Sequence, residues 1–209
     1  MIIVGITGGI ASGKSVASNI FKKYNAYIFN GDEEAKKLLF SQEISQAALE
    51  IFPNLDSITP ESLAKVVFQN QETQKKWHQI IHPAVNEEIL KRIKKIRDEK
   101  QHPIFVVDAA LIIESGSYQY YNEFNLPLIL ITSPESVRIE RALARENLSL
   151  DTIQDRMKLQ WPDEKKKEYA DYIIENNSSL DNFESEVGEL IGTIYERKII
   201  TIINDDIKS

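Results

Sequence analysis

The stretch that decides the fold is Ile2-Ile3-Val4-Gly5-Ile6-Thr7-Gly8-Gly9-Ile10-Ala11-Ser12-Gly13-Lys14-Ser15. Its first six residues are mostly apolar and β-branched and stop at a glycine pair, which predicts a buried strand followed by a turn. The second part, from Gly8 to Ser15, fits G-x-x-x-x-G-K-[S/T] and precedes a helical pattern. In that motif the backbone N–H groups, the helix N-terminus and the lysine converge on one centre, which suits a polyphosphate. We therefore predict that the chain binds ATP or GTP.

The alternative interpretation of this motif is a chance turn, which its position directly after a strand disfavours. Within the motif, Lys14 is expected to serve the phosphates and the Ser15 hydroxyl to bind a Mg²⁺ ion that bridges the β- and γ-phosphates. We predict that nucleotide binding uses the loop and the first turn of the following helix. The residues are Gly9, Ile10, Ala11, Ser12, Gly13, Lys14, Ser15 and Val16.

Further short apolar runs are separated by helical patterns. They cover residues 27–29, 104–107, 128–132 and 172–174. Strands that alternate with helices favour a parallel sheet covered on both faces. The sequence thus predicts an α/β fold with a mostly parallel five-stranded sheet flanked by helices. Residues 199–203 could form a further strand, although the pattern gives it no place in the sheet.

The composition excludes several classes of protein. With 209 residues the chain supports one sizeable core rather than two full domains. Its formal charge of −7 offers nucleic acid no general attraction, and without cysteine it has neither disulfides nor thiolate chemistry. Residues 1–8 lack a secretion signal and no long apolar run follows. We expect a cytoplasmic protein without nucleic-acid or membrane partners, either a monomer or a weak homo-oligomer.

Two helical segments interrupt the strand pattern. Residues 32–100 carry no strand signal and exceed a simple crossover, which predicts an inserted helical subdomain. Residues 136–168 are rich in Arg and Lys and lack a long apolar run, which predicts an exposed, movable helical pair, a lid. The expected core of the single domain then comprises residues 1–31, 101–135 and 169–209.

Caps, prolines and periodicity mark the expected helices. They cover residues 44–52 and 72–100, begin at Thr59-Pro60-Glu61, at Ser133-Pro134-Glu135 and at Ser149, and include an amphipathic helix after Leu180. Pro83 interrupts the longest of these patterns, so we expect a boundary or a kink near His82.

The phosphate-loop motif by itself names no reaction, because switches, motors and kinases all use it. A GTPase would also carry N-K-x-D and D-x-x-G motifs, and the sequence has neither. The chain is also short for a motor. A small-molecule kinase is therefore the favoured class.

Two aspartates follow predicted strands and are candidates for the chemistry. Asp32 should emerge at the carboxyl edge of the sheet, where a carboxylate can take the proton of an acceptor hydroxyl. On position alone, capping of the helix at residues 33–40 is an equally good interpretation. Asp108 ends the third run and is placed to hold Mg²⁺ directly or through water, with ordinary turn chemistry as the alternative.

The residues together resemble the dephospho-CoA kinase family over nearly the whole chain. The matching motifs are residues 5–15, the Asp32 segment, residues 67–68 and 80–83, residues 106–108 and 114–116, the lid segments 141–145, 148–149 and 156–160, and residues 170–176. The resemblance implies phosphoryl transfer from ATP to the ribose 3′-hydroxyl of dephospho-CoA, the last step of coenzyme A synthesis. It also implies a nucleotide core, a helical CoA subdomain and a helical lid.

The resemblance further implies a role for each matching residue. Asp32 would be the catalytic base, and Lys14 and Ser15 would serve the phosphates and Mg²⁺. Arg141 and Arg145 would belong to the closing lid, and Asn176 would lie by the adenine. His82 and Pro83 would help to shape the acceptor pocket, which also takes in Asp32 and Asp108.

Two positions depart from the family pattern. Where the family usually has D-A-D, this chain has Asn30-Gly31-Asp32, and where it usually has D-x-P-L-L, the chain has Asp108-Ala109-Ala110-Leu111-Ile112. The matched base remains, so these departures concern the shape of the acceptor loop more than the chemistry. Two other functions stay open: a kinase for another nucleoside or nucleotide, and a nucleotide-dependent regulator that has lost kinase activity.

Some residues have ordinary interpretations as well. Arg138, Arg141 and Arg145 lie on one helix face. They form either a solvated stripe that pairs with Glu135 and Glu146 or a face that closes over the phosphates. Without the family likeness, His82 would be a packing residue, and the three scattered histidines do not make a zinc site.

Overall fold

The computed structural model describes residues 1–55, 57–145 and 149–208, with side chains described as far as Lys198. Its centre is a five-stranded sheet in the order β2-β3-β1-β4-β5, in which every neighbouring pair is parallel. The strands are β1 (Ile2–Gly8), β2 (Tyr27–Asn30), β3 (Ile104–Asp108), β4 (Leu128–Thr132) and β5 (Tyr172–Glu175). The α/β class and all five predicted strands are confirmed, with bounds that agree within one residue.

The strand register places the functional ends of the sheet together. Asp108 pairs with Ile6 of β1 on one side and with Asn30 of β2 on the other. Because all strands point the same way, the loops after β1, β2 and β3 leave the same edge. The phosphate-loop motif, the Asp32 segment and the Asp108 segment therefore meet there.

Helices cover both faces of the sheet. On one face α1 (Lys14–Lys23) and α9 (Leu180–Lys208) pack over buried side chains of β1 and β4. The predicted amphipathic face of α9 is confirmed, since its members are all buried: Phe183, Val187, Leu190, Ile191 and Ile194. The backbone of residues 199–203 continues this helix, so the alternative of a sixth strand is wrong. A helix that is already docked extends by satisfying its own backbone, whereas a strand there would need an edge to pair with.

The other face carries the helical insertion. It consists of α2 (Gly31–Leu38), α3 (Gln42–Ile51), α4 (Pro60–Val67) and α5 (Gln71–Glu99). Thr59 caps α4 in a capping box with Ser62, as the sequence predicted for this start. Their apolar faces join Phe29 and Phe105 of the sheet in one core cluster.

The sequence predicted a boundary or a kink near His82. Helix α5 is continuous through Pro83, so the predicted boundary is wrong, and the kink stays a prediction. Proline removes one backbone hydrogen bond and crowds the preceding turn. Buried side chains on both sides of it, including Ile81 and Val85, hold the two halves of the helix against one core. This packing outweighs the local preference for a boundary.

The predicted lid range begins with α6 (Glu135–Arg145) and ends with α7 (Leu150–Lys158) and α8 (Asp163–Lys167). Ser149 caps α7 as expected, because its side chain accepts a hydrogen bond from the Thr152 backbone N–H. A 3₁₀ segment (Ser117–Phe124) links β3 to β4. The division into core, insertion and movable lid stays a prediction. None of the helices in the described ranges is long and apolar enough to cross a membrane.

Candidate active site

The loop between β1 and α1 makes a tight turn. Gly13 caps α1 with a φ of 105°, a left-handed conformation that L side chains rarely adopt. A side chain there would also collide with the amide of Asn176. The Ser12 backbone N–H donates to the Gly9 carbonyl at 3.1 Å, which closes the turn. The loop therefore has the tight turn and the left-handed glycine on which the predicted anion binding depends.

A cavity of about 260 Å³ lies above this loop. Its lining includes the predicted nucleotide residues from Gly9 to Ser15, together with Gly8, Asp32, Ala110, Ala142, Arg145 and Gln160. Val16, on α1, does not line this cavity and packs against the hydrophobic core instead. Most of the predicted nucleotide residues are thus brought together at one site.

Lys14 lies between two carboxylates. Its ammonium makes a short ion pair with Asp108 Oδ1 and lies 3.8 Å from Asp32 Oδ2. The other oxygen of Asp108 accepts a hydrogen bond from the Ser18 hydroxyl at 2.6 Å. Asp108 is almost fully buried by these contacts, so simple turn chemistry does not describe it. Its carboxylate holds Lys14 in place.

Asp32 does not cap the helix that follows it. That role belongs to Asn30, whose side chain accepts a hydrogen bond from the Glu33 backbone N–H at 3.0 Å. Asparagine is one of the residues preferred at this position, so the departure from the family pattern at Asn30 keeps the cap of α2. Asp32 sits in the first turn of α2, with 61% of its side chain exposed toward the cleft.

The surroundings of Asp32 raise its pKa above the ordinary value of an aspartate. The largest cause is the partial removal of water from the carboxyl group by the surrounding protein, which acts although 61% of the side chain remains exposed to solvent. The charge of Lys14 acts in the opposite direction, and the charge of Asp108 adds to the increase. A carboxylate with a raised pKa is a stronger base than an ordinary aspartate.

A second cavity, of about 300 Å³, lies between the insertion and the sheet edge. Its walls are mainly apolar side chains of α2, α4 and α5, together with residues that follow β3. His82 lines it, as predicted for the acceptor pocket, whereas Pro83 lines the neighbouring groove toward α7. Among the residues that line the two cavities, Asp32 is common to both.

The sequence analysis missed a histidine pair in this second cavity. The rings of His78 and His82 stack with their centroids 4.3 Å apart. Burial lowers the pKa of His78 to about 4, and burial together with the charge of His78 lowers the pKa of His82 to about 3. Both rings are neutral at pH 7. Spacing i and i+4 on one helix was the available signal.

The two arginines of α6 that the likeness placed in the lid have different positions. Arg145 lines the loop cavity, and its part in a closing lid stays a prediction. Arg141 does not line that cavity: its guanidinium donates to the Ser133 hydroxyl at 3.2 Å and to the Asn176 carbonyl at 3.1 Å. In this structure Arg141 fastens α6 to the end of β5. Glu146, an expected partner of the arginine stripe, lies outside the described residues.

Asn176 is buried beneath the phosphate loop. Its Nδ2 donates to the Ser12 carbonyl at 2.9 Å, while its own carbonyl accepts from Ser133 and Arg141. The residue thus joins the loop to the base of α6. The predicted contact with adenine stays a prediction.

Contacts from the region of α7 and α8 to the rest of the site also escaped the sequence analysis. The side-chain carbonyl of Gln160, after α7, accepts a hydrogen bond from the Ile10 backbone N–H at 3.0 Å. Lys166 of α8 is fully buried and pairs with Glu114 at 2.7 Å. Lysine runs normally indicate a solvated face, so the sequence pattern gave no sign that the middle lysine of this run is buried.

Taken together, a phosphate loop after the first strand of a parallel sheet and an adjoining acceptor cavity define a P-loop kinase of small molecules. The chain matches the profile of dephospho-CoA kinases over residues 2–182, and it belongs to that family.

Curated relatives match over most of their length. The dephospho-CoA kinase of Aquifex aeolicus is 30% identical over 199 residues, which cover 92% of this chain and 95% of the relative. The dephospho-CoA kinase of Helicobacter pylori is 31% identical over 193 residues, which cover 91% of this chain and 96% of the relative.

Solved structures agree with this assignment. A Thermus thermophilus protein superposes with a TM-score of 0.74 at 25% identity, covering 92% of this chain and 97% of the other. The dephospho-CoA kinase of Campylobacter jejuni superposes with a TM-score of 0.64 at 26% identity, covering 94% of this chain and 98% of the other. A shikimate kinase from Acinetobacter baumannii, at 0.56 and 13% identity with 95% of each chain covered, shows the shared fold alone.

Proposed function

We propose that this chain transfers the γ-phosphoryl group of ATP to the ribose 3′-hydroxyl of dephospho-CoA, giving coenzyme A and ADP. The observation that carries the proposal is the position of Asp32, which lines both the phosphate-loop cavity and the apolar acceptor cavity. A base at that junction can reach a hydroxyl in one cavity while a phosphate occupies the other. Family membership supports the choice of acceptor.

Each residue of the site has its own role in the phosphoryl transfer. Lys14 exchanges its contact with Asp108 for the β- and γ-phosphates when ATP enters the loop. The acceptor oxygen then attacks the γ-phosphorus in line, and the bond to the bridging oxygen of ADP breaks. The proton of the hydroxyl goes to Asp32, whose raised pKa suits it to receive that proton. Arg145, which lines the loop cavity, contributes positive charge there.

The site residues fit Mg²⁺ as the cofactor. In proteins Mg²⁺ is bound by one or two protein oxygens together with substrate phosphates and water, rather than by a cage of protein ligands. Accordingly, the described residues contain no cluster of three or more His, Cys, Asp or Glu side chains. Ser15, exposed at the loop cavity, and the carboxylate of Asp108 would hold it. Bound there, Mg²⁺ would neutralise charge on the β- and γ-phosphates.

The acceptor pocket is proposed to include His82, Pro83 and the apolar walls beside them. Neutral histidines suit a pocket that receives an uncharged part of the acceptor, because a charged imidazolium would have to shed its water there. Both cavities are built from one chain, which supports action as a monomer or weak homo-oligomer. The absence of cysteine supports a cytoplasmic location.

A coupled assay of ADP release tests the proposal. With Mg²⁺ and ATP, dephospho-CoA should accelerate ADP release, and mass analysis should show one added phosphate on the acceptor. ADP release that ignores the acceptor would favour a nucleotide-dependent regulator. Release stimulated only by another nucleoside or nucleotide would move the assignment to that acceptor.

The Asp32→Asn variant tests the role of the base. We expect its turnover to fall by about a thousandfold while ATP affinity stays within about threefold, since general base catalysis acts on the acceptor side. The acid limb of the pH profile of kcat/KM in the unsubstituted protein should lie above the ordinary pKa of aspartate. Equal loss of ATP binding in the variant would make Asp32 a structural residue.

A further inference from the structure

A charged side chain at the phosphate loop has no counter-charge in this structure. Arg138 of α6 lies against Gly9, so closely that a side chain at Gly9 would collide with the guanidinium. Its Nε is buried and has no hydrogen-bond partner. In the described parts of the chain no carboxylate lies within ion-pair distance of Arg138, although Glu135 and Asp163 line the same neighbouring cavity.

Such a group needs an anion. The guanidinium stays protonated at any physiological pH, and removing it from water without a partner is unfavourable. Structural arginines avoid this cost by pairing, as Arg141 does with Ser133 and Asn176. The guanidinium of Arg138 lies against Gly9 on the wall of the cavity next to the loop cavity, and its buried Nε has no partner among the described residues.

The position of Arg138 relative to the phosphate loop indicates which anion it binds. Gly9 and Ile10 lie at the start of the loop, and the Ile10 N–H donates to the side-chain carbonyl of Gln160. A side chain at Gly9 would meet Arg138 first and the Gln160 carbonyl oxygen at 3.6 Å. Arg138 and Gln160 therefore both lie against the start of the loop.

We propose that Arg138 is a catalytic residue whose guanidinium contacts the terminal phosphates of the donor nucleotide. The proposal rests on the proposed function in that the donor is ATP, and it does not depend on the acceptor. It adds Arg138 to Arg145 as a positive charge that α6 brings to the phosphates, whereas Arg141 fastens the helix to β5 in this structure. Arginine fits this task because it makes bidentate contacts with phosphoryl oxygens as charge develops on them.

Kinetics of Arg138→Gln and Arg138→Lys test the proposal. The glutamine variant should lose turnover by about a hundredfold or more, and lysine should restore only part of it, because a point charge lacks the bidentate fork. Lys167→Gln, which removes one positive charge from an exposed pair on α8, is the matched control and should keep its activity. Melting temperatures of all three should confirm that they fold.

A binding measurement tests this proposal separately from the proposal that dephospho-CoA is the acceptor. We expect Arg138→Gln to weaken binding of β,γ-imido-ATP by about tenfold and to leave binding of AMP within about twofold, since AMP lacks the terminal phosphates. This readout stands even if dephospho-CoA proves not to be the acceptor, an outcome that would contradict only the proposed function. Turnover and imido-ATP affinity both within about threefold of the unsubstituted protein would overturn the role of Arg138.

Discussion

The nucleotide side of the site is lined by polar groups that bind one another, whereas the acceptor side is mainly apolar. On the nucleotide side polar groups are held by other polar groups: Lys14 by Asp108, and the Ile10 N–H by Gln160. On the acceptor side the cavity is mainly apolar, and His78 and His82 are kept neutral by burial. The first arrangement can exchange its internal partners for phosphates. The second selects by shape and by the exclusion of water, so damage to each side should have a different signature.

The largest expected effect lies on the nucleotide side. Lys14→Ala should reduce kcat/KM by about a thousandfold, because the ammonium serves both binding of ATP and the charge that develops during transfer. Loss of ATP affinity, measured by calorimetry, should accompany the loss of turnover. Affinity for dephospho-CoA should change little, and near-normal activity would remove the phosphate-loop assignment.

The next effect concerns the buried ion pair between α8 and the segment that follows β3. Lys166→Met should lower the free energy of unfolding by about 3 kcal/mol, because it leaves the buried carboxylate of Glu114 without its cation. Denaturation in urea measures this change. The double variant Lys166→Met with Glu114→Gln is the control and should recover much of the loss. An equal loss in both variants would mean that packing of the lysine stem matters, not the ion pair.

The contrast between the two sides also explains what the sequence could predict. The phosphate loop is a contiguous motif in the sequence, so residues 8–15 were identified directly. The acceptor cavity is assembled from helices far apart in the chain, and its apolar character follows from tertiary packing. The resemblance supplied His82, but the stacking of His78 on it required the course of α5 through Pro83.

Local geometry decided two further alternatives. Capping by Asp32 and catalysis by Asp32 were equally compatible with its position, and the cap formed by Asn30 decided against the first. Arg138 and Arg141 are three residues apart on one helix face, so periodicity treats them alike. They differ because Asn176 and Ser133 lie within reach of Arg141, while Gly9 leaves room for Arg138.

A smaller effect should appear in the pH dependence of stability. Because the pKa values of His78 and His82 in the fold, about 4 and about 3, lie below the ordinary 6.5, the unfolded chain binds more protons between these values. The stabilisation is therefore complete above pH 6.5 and is lost as the pH falls toward 4.

Replacement of both histidines by glutamine should remove this dependence. Each histidine accounts for about 2 kcal/mol between pH 7 and pH 5, so over this range the unsubstituted protein should lose about 4 kcal/mol more of its free energy of unfolding than the double variant, as measured in urea. Carboxylates elsewhere contribute to the pH dependence of both proteins alike and cancel in the difference. Parallel pH profiles for the two proteins would show that the histidines are solvated in the folded state.

The smallest expected effect gives the cleanest separation of the two sides. Ala64 lies on α4 and lines the acceptor cavity without being fully buried, so Ala64→Phe should fill part of the cavity and spare the fold. We expect KM for dephospho-CoA to rise by about tenfold while the affinity for ATP is unchanged, because the phosphate-loop cavity shares only Asp32 with this one. Ala47→Phe, on α3 and outside the cavity, controls for the added ring. If Ala64→Phe weakened ATP binding as much as acceptor binding, the two cavities would act as one site and the contrast between them would fail.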